Sequence, residues 1–110
     1  MLAIIGGTGL YHLDGFKRSE EIVVETPFGE CSAPVTRAYF LDKEVLFLPR
    51  HGCKHNLLPH EINYRANIFA LKKLGAKQVV SVSAAGSLRE DIHPGEFVIP
   101  CQYFDFIKGN

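Results

Sequence analysis

Arg50 and His51 stand directly behind an apolar run, in the segment Leu46-Phe47-Leu48-Pro49-Arg50-His51-Gly52. An arginine delivered by a buried strand is unfavourable there unless it has a partner. A charge-assisted hydrogen bond returns roughly 1.5–3 kcal/mol, so a bidentate anion would compensate well. The plainer alternative is an internal salt bridge to one of the chain's 12 acidic residues. His51 either donates to the same anion or is a satisfied structural histidine. Two further segments share this make-up. Ile4-Ile5-Gly6-Gly7-Thr8-Gly9-Leu10 runs from a buried-strand tail into a glycine turn carrying the Thr8 hydroxyl. Val79-Val80-Ser81-Val82-Ser83-Ala84-Ala85-Gly86-Ser87 ends in small residues, with the Ser83 hydroxyl and the Ala84 backbone N–H at its tip. Glycine turns expose backbone donors and an arginine supplies a planar fork. Three such strand ends suit a phosphate-like oxyanion if they meet. Taken singly, the first is also a simple glycine turn and the third a tight strand-to-loop transition.

Other chemistries fit these residues less well. After Gly7-Thr8-Gly9 the third glycine of a dinucleotide fingerprint would fall at His12, and no Lys-Ser/Thr follows at Walker spacing. His51, Cys53, His55 and His60 crowd one stretch, but the spacing matches no zinc pattern and Glu61 is the nearest carboxylate. No metal site is expected. Arg89-Glu90-Asp91 reads as a solvated charged loop.

The elements that would position these groups follow from pattern. Leu2–Ile5 reads as a short, fully buried strand, because its apolar residues run without alternation. Ile22–Glu25 reads as a second strand ending at the Thr26-Pro27-Phe28-Gly29 turn. Val35–Leu41 and Glu44–Leu48 form a hairpin around Asp42-Lys43. Pro49 to Pro59 is a polar loop. A helix follows from about Asn63, its N-cap, to Leu74. Tyr64, Ile68 and Leu71 recur at helical spacing and predict its buried face. Lys72 and Lys73 suit the negative end of its dipole, and Gly75 a left-handed stop. Gln78–Ser83 and Phe97–Ile99 read as further buried strands, the latter after a Pro94-Gly95 turn. Strand, helix, strand from Glu44 to Ser83 implies a crossover and a partly parallel sheet.

Composition bounds the rest. The 110 residues make at most one domain, and 46% hydrophobic content is that of a globular chain. Twelve basic and 12 acidic residues leave no net charge, which argues against nucleic-acid and membrane-surface partners. Cys31, Cys53 and Cys101 form no C-x-x-C pair, so they read as thiols in a reducing cytoplasm. No basic leader opens the chain, and no stretch reaches the ~18 apolar residues of a membrane helix.

Four segments in this order resemble the methylthioadenosine phosphorylase branch of the purine nucleoside phosphorylases. They are Ile4–Leu10, Arg50-His51-Gly52 with His55, Asn63–Ile68, and Ser83–Glu90. Pro94–Pro100 and Asp105 are also similar. The resemblance implies a three-layer α/β/α fold with a mixed, partly parallel sheet, here incomplete at the C-terminus. Residues 1–110 would be the N-terminal portion of a single nucleoside phosphorylase domain. It implies phosphorolysis of a purine nucleoside to free base and sugar 1-phosphate, with inorganic phosphate as co-substrate and no cofactor. Thr8, Arg50, His51, Ser83 and Ala84 would bind phosphate, Ser83 standing where the family often has threonine. Full-length members assemble as homo-oligomers, usually trimers. The family's contact to purine N7 matches no residue here, so the 110 residues alone are expected to bind phosphate weakly and turn over nothing. The competing expectations are a non-catalytic anion-binding domain and a nucleosidase using water.

Overall fold

A computed structural model describes residues 1–7 and 14–106. Five strands form one mixed sheet: β1 (Leu2–Gly6), β2 (Lys17–Ile22), β3 (Val35–Phe40), β4 (Lys43–Pro49) and β5 (Gln78–Ser81). Their spatial order is β2-β3-β4-β1-β5. β3 runs antiparallel to both β2 and β4, while β1 lies parallel to both β4 and β5. From β4 the chain passes over β1 to reach β5, and helix α1 (Tyr64–Lys73) lies in that crossover. This is the partly parallel sheet that strand–helix–strand order predicts. Among the described residues α1 is the one α-helix, so the mixed sheet carries one helical layer.

β4 is buried along Val45–Pro49, as its unbroken apolar run requires. Period-two alternation divides its side chains between the two faces. Leu46 and Leu48 share a core with Ala3, Ile5, Val35, Ala70 and Leu71, which puts α1 on that face. The hairpin between β3 and β4 closes over Leu41 and Asp42, both left-handed at φ 47° and 65°. Two consecutive positive φ values match the twist of a two-residue hairpin, and aspartate tolerates that region better than most residues.

Asn63 caps α1 as expected, its side-chain oxygen accepting from the Ala66 N–H at 3.1 Å. Lys72 and Lys73 occupy the last turn, and Gly75 follows at φ 97°. The buried face differs from the one expected. Ala66, Asn67, Ala70 and Leu71 point inward, whereas Ile68 is 50% exposed. Two alanines let the helix approach the sheet closely, a fit that the bulkier Tyr64–Ile68 row does not offer. Asn67 can be buried at 2% exposure because both ends of its amide are hydrogen-bonded. Its Oδ1 accepts from the Ser32 N–H at 2.9 Å, and its Nδ2 donates to the Ser32 Oγ at 3.0 Å.

Three expected strands need correction. The strand placed over Ile22–Glu25 instead spans Lys17–Ile22, a polar edge strand. It pairs with β3 across a register shift between Arg18 and Glu20. Arg37 of β3 forms ion pairs with Glu20 of β2 and Glu44 of β4, so charge supplies what apolar pattern lacks. Val24 still packs against the core, but its backbone joins no ladder. Phe97–Ile99 is not a strand: Phe97 is 95% exposed and has no neighbouring strand to pair with. β5 likewise stops at Ser81 rather than Ser83, and it is exposed along its length rather than buried, because it forms the outer edge of the sheet with no described element covering it.

Asn67→Ala removes both bonds to Ser32 and leaves its N–H unsatisfied. It is expected to lower stability by about 1–3 kcal/mol, read from the urea denaturation midpoint.

Candidate functional site: the carboxyl ends of three parallel strands

β4, β1 and β5 run in the same direction, so their carboxyl ends share one edge of the sheet. The ladder extends just past them. Arg50 N–H donates to the Gly6 carbonyl at 2.8 Å, and Val82 N–H to the Ile5 carbonyl at 3.0 Å. Register pairs Ile5 with Leu48 on one side and with Ser81 on the other. Residues two positions along a strand share a face. Arg50 follows Leu48, and Gly7 follows Ile5, by that interval. Arg50, Gly7 and Ser81 therefore fall in one phase, on the face that carries α1.

The guanidinium of Arg50 lies against Gly7. A Cβ on Gly7 would sit 2.2 Å from the Arg50 Nη2 and 2.9 Å from the Val82 carbonyl oxygen. Neither distance leaves room for a methyl group. On the other side, Arg50 Nη1 donates to the Ser81 Oγ at 3.2 Å. The half-buried arginine thus finds a neutral hydroxyl partner. A guanidinium has five N–H donors, so one bond to a serine leaves donors to spare.

His51 begins the loop that follows β4. Its Nδ1 lies 2.8 Å from the Leu57 carbonyl oxygen. A carbonyl only accepts, so Nδ1 carries the proton. The Leu57 N–H returns a bond to the His51 carbonyl at 3.0 Å, closing residues 51–57 into a clasp. With Nδ1 committed, Nε2 is an acceptor in the neutral ring and a donor only in the imidazolium. The sequence-based expectation that His51 donates to an anion thus requires its protonated form. The His55 ring packs against it with centroids 4.9 Å apart. Gly52 makes the turn possible at φ 86°, and a Cβ there would meet Asn56 Oδ1 at 2.9 Å. The same Cβ would lie 3.4 Å from the Ser32 carbonyl, which Asn67 fixes to α1 through Ser32's other polar groups. Helix packing and loop position are therefore linked.

The remaining expected site residues fall as follows. Ser83 and Ala84 lie just beyond the end of β5 and are exposed. Thr8 lies outside the described residues. Ser81 is the contact that residue types alone did not single out, although a hydroxyl interrupting Val79-Val80-Ser81-Val82 in the same phase as Ser83 is a readable signal. The Arg89–Asp91 pair is the solvated loop expected, with Nε and Nη2 donating to the two carboxylate oxygens at 2.8 and 2.6 Å. Those bonds hold the Asp91 carboxyl below its ordinary range. Among the described residues no three His, Cys, Asp or Glu side chains group as metal ligands do, and no helix is long and apolar enough to cross a membrane.

A cleft of about 680 Å³ lies elsewhere, between the outer side of α1 and residues 103–105. Tyr64, Ile68 and Phe69 line it, with Phe28 meeting Phe69 edge-on at a centroid distance of 5.9 Å. It shares no residue with the strand-end site.

The chain as a whole is similar to known proteins. The family model described as the phosphorylase superfamily matches residues 1–110, and the chain belongs to that family. S-methyl-5'-thioadenosine phosphorylase of Geobacter sulfurreducens is 50% identical over 105 residues, covering 96% of this chain and 37% of that protein. The protein of the same name from Saccharolobus solfataricus is 54% identical over 107 residues, covering 97% of this chain and 40% of that one. Among solved structures, methylthioadenosine phosphorylase from Schistosoma mansoni in complex with adenine superposes with a TM-score of 0.81 at 42% identity, over 86% of this chain and 33% of that one. The chain spans about two fifths of the length of the curated relatives it matches.

Gly52→Ala places an L-residue in the left-handed region, at about 1–2 kcal/mol, and displaces Asn56. A lower thermal midpoint and a shifted His51 ring resonance are expected. The three thiols should differ in rate with a disulfide reagent. Burial pushes the Cys31 thiol above its ordinary range, and its Sγ faces the Ala66 carbonyl at 3.5 Å. Cys53 and Cys101 are exposed. At mildly alkaline pH those two should react first, with Cys31 following only at higher pH or on unfolding.

Proposed function

We propose that this chain supplies the phosphate site of a purine nucleoside phosphorylase acting on a purine nucleoside or its 5'-methylthio analogue. Residues 1–110 are, on this reading, the N-terminal portion of a single nucleoside phosphorylase domain. The observation that carries it is the Arg50 guanidinium, seated on Gly7 at the shared carboxyl edge of β4, β1 and β5 and bonded, among the described residues, to the neutral Ser81 hydroxyl. Open α/β sheets bind ligands at that edge. The names of the relatives support the reaction class and the methylthio nucleoside.

In such a reaction the glycosidic C1'–N9 bond breaks and its electron pair leaves with the purine. A phosphate oxygen forms the new bond to C1', giving the sugar 1-phosphate. The transition state carries oxocarbenium charge on the sugar, and a bound phosphate dianion is both nucleophile and electrostatic stabiliser. Arg50 would hold that dianion in place. His51 would add a donor as imidazolium, while Thr8, Ser83 and Ala84 would complete the cradle. No enzyme nucleophile and no cofactor are required. A hydrolase using water has no need of a strong anion clamp, so Arg50 favours phosphorolysis over hydrolysis. A homo-oligomer, a trimer by resemblance, acting in purine salvage in the cytoplasm, belongs to the same proposal.

The test is titration of the chain with inorganic phosphate, followed by amide NMR. Shifts centred on Gly7, Arg50 and Val82 are expected. Arg50→Ala should weaken binding by at least about tenfold, the worth of one charge-assisted bond. Absence of phosphate-dependent shifts in the wild-type chain overturns the reading. The chain alone should release no purine from methylthioadenosine. Where the complete enzyme is assayed, sugar 1-phosphate supports phosphorolysis and free sugar contradicts it.

A further inference from the structure

Arg50 can clamp an anion only if its guanidinium is already aimed, because a long side chain that must be ordered on binding loses conformational entropy at that moment. Two features outside the expected phosphate cradle aim it. The first is the Ser81 hydroxyl, which accepts from Nη1 at 3.2 Å. The second is the missing side chain of Gly7, whose place the guanidinium fills. Ser81 lies on β5 and Arg50 just past β4, with β1 between them, so the contact spans three strands. Nothing in backbone pairing requires it. β5 is an exposed edge strand, and a valine at position 81 would suit its strand propensity equally well.

We propose that Ser81 is a positioning residue for anion binding: its Oγ fixes the Arg50 guanidinium over Gly7 and turns the remaining N–H donors toward the ligand. This inference rests on the phosphate reading above and deepens it. The hydroxyl has chemistry that fits the task. While its oxygen accepts from Nη1, its own proton remains available to an anion oxygen. A carboxylate at position 81 would neutralise the guanidinium and compete with the ligand. A hydroxyl orients the charge without cancelling it. Gly7 acts in the same direction by exclusion, since any Cβ there lies within 3.2 Å of both the Arg50 Nη2 and Cζ atoms.

The experiment compares two variants of nearly identical shape. Ser81→Thr keeps the hydroxyl and Ser81→Val replaces it with a methyl group; both are β-branched and suit a strand. The probe is inorganic phosphate added to the 110-residue chain, with the Arg50 Nε–H resonance as the second readout. Ser81→Thr should bind phosphate within about twofold of wild type. Ser81→Val should bind about tenfold more weakly, as expected for one lost hydrogen bond to a charged group. Its Arg50 Nε–H signal should move toward that of a freely rotating side chain while the thermal midpoint stays unchanged. Should valine disturb the strand, Ser81→Ala removes the hydroxyl without adding bulk, and the same loss is expected. Wild-type binding with undiminished affinity in Ser81→Val and Ser81→Ala overturns the positioning role and leaves the phosphate reading intact. Equal losses in Ser81→Thr and Ser81→Val overturn it too, by showing that the hydroxyl is not what matters. No phosphate binding by the wild-type chain overturns both.

Discussion

Arg50 follows five consecutive buried residues, and its cation must be accommodated where the buried strand ends. The direction of the strands sets the terms. Because β1 and β5 run parallel to β4, their ends lie beside Arg50 rather than at the far side of the sheet. A guanidinium there lies near backbone and a serine hydroxyl, with no carboxylate bound to it among the described residues. Carboxylate partners go to other arginines: Arg37 takes Glu20 and Glu44, and Arg89 takes Asp91. A charge held by a neutral partner at a sheet edge keeps its attraction for an anion, which a salt-bridged arginine would largely have spent.

The scaffold beneath the site is held by polar as well as apolar contacts. Leu46, Leu48 and Leu71 supply the apolar core, and Asn67 inserts an amide into it that fastens the Ser32 segment to α1. Ser32 in turn borders Gly52, where the Arg50–His51 loop makes its tight turn. The His51–Leu57 clasp then keeps the imidazole in one tautomer. A buried amide bonded at both its oxygen and its nitrogen specifies position more sharply than another leucine would, because its bonds have direction.

Local signals were read well wherever a residue's own chemistry decides its conformation. The Asn63 cap, the Gly75 stop, the hairpin before β4 and the buried β4 are all decided by short-range pattern, whereas β1, expected to be buried throughout, alternates, with Leu2 and Ile4 half-buried. Errors arose where a distant partner decides. Lys17–Ile22 becomes a strand because β3 offers Arg37 and an open edge, which its own polar sequence does not announce. Phe97–Ile99 has strand-forming residues but no neighbour, and a strand without a ladder is not one. The inward face of α1 went to Ala66 and Ala70 rather than to Tyr64 and Ile68, because close approach to the sheet rewards small side chains.

The sequence by itself determined the chemistry on offer: an arginine and a histidine behind a buried strand, glycines before them, small hydroxyl residues after them. It also determined the family, since four motifs in order are specific where each alone is not, and the family model matches across the chain. Tertiary structure decided which of those groups meet. Parallel register brought Arg50 onto Gly7 and chose Ser81 as its partner, one turn of alternation short of the serine that residue types had singled out. The physical reason is that donor and acceptor types are written residue by residue. The 3.2 Å between a guanidinium and a hydroxyl depends instead on strand order, direction and register, which no single segment carries.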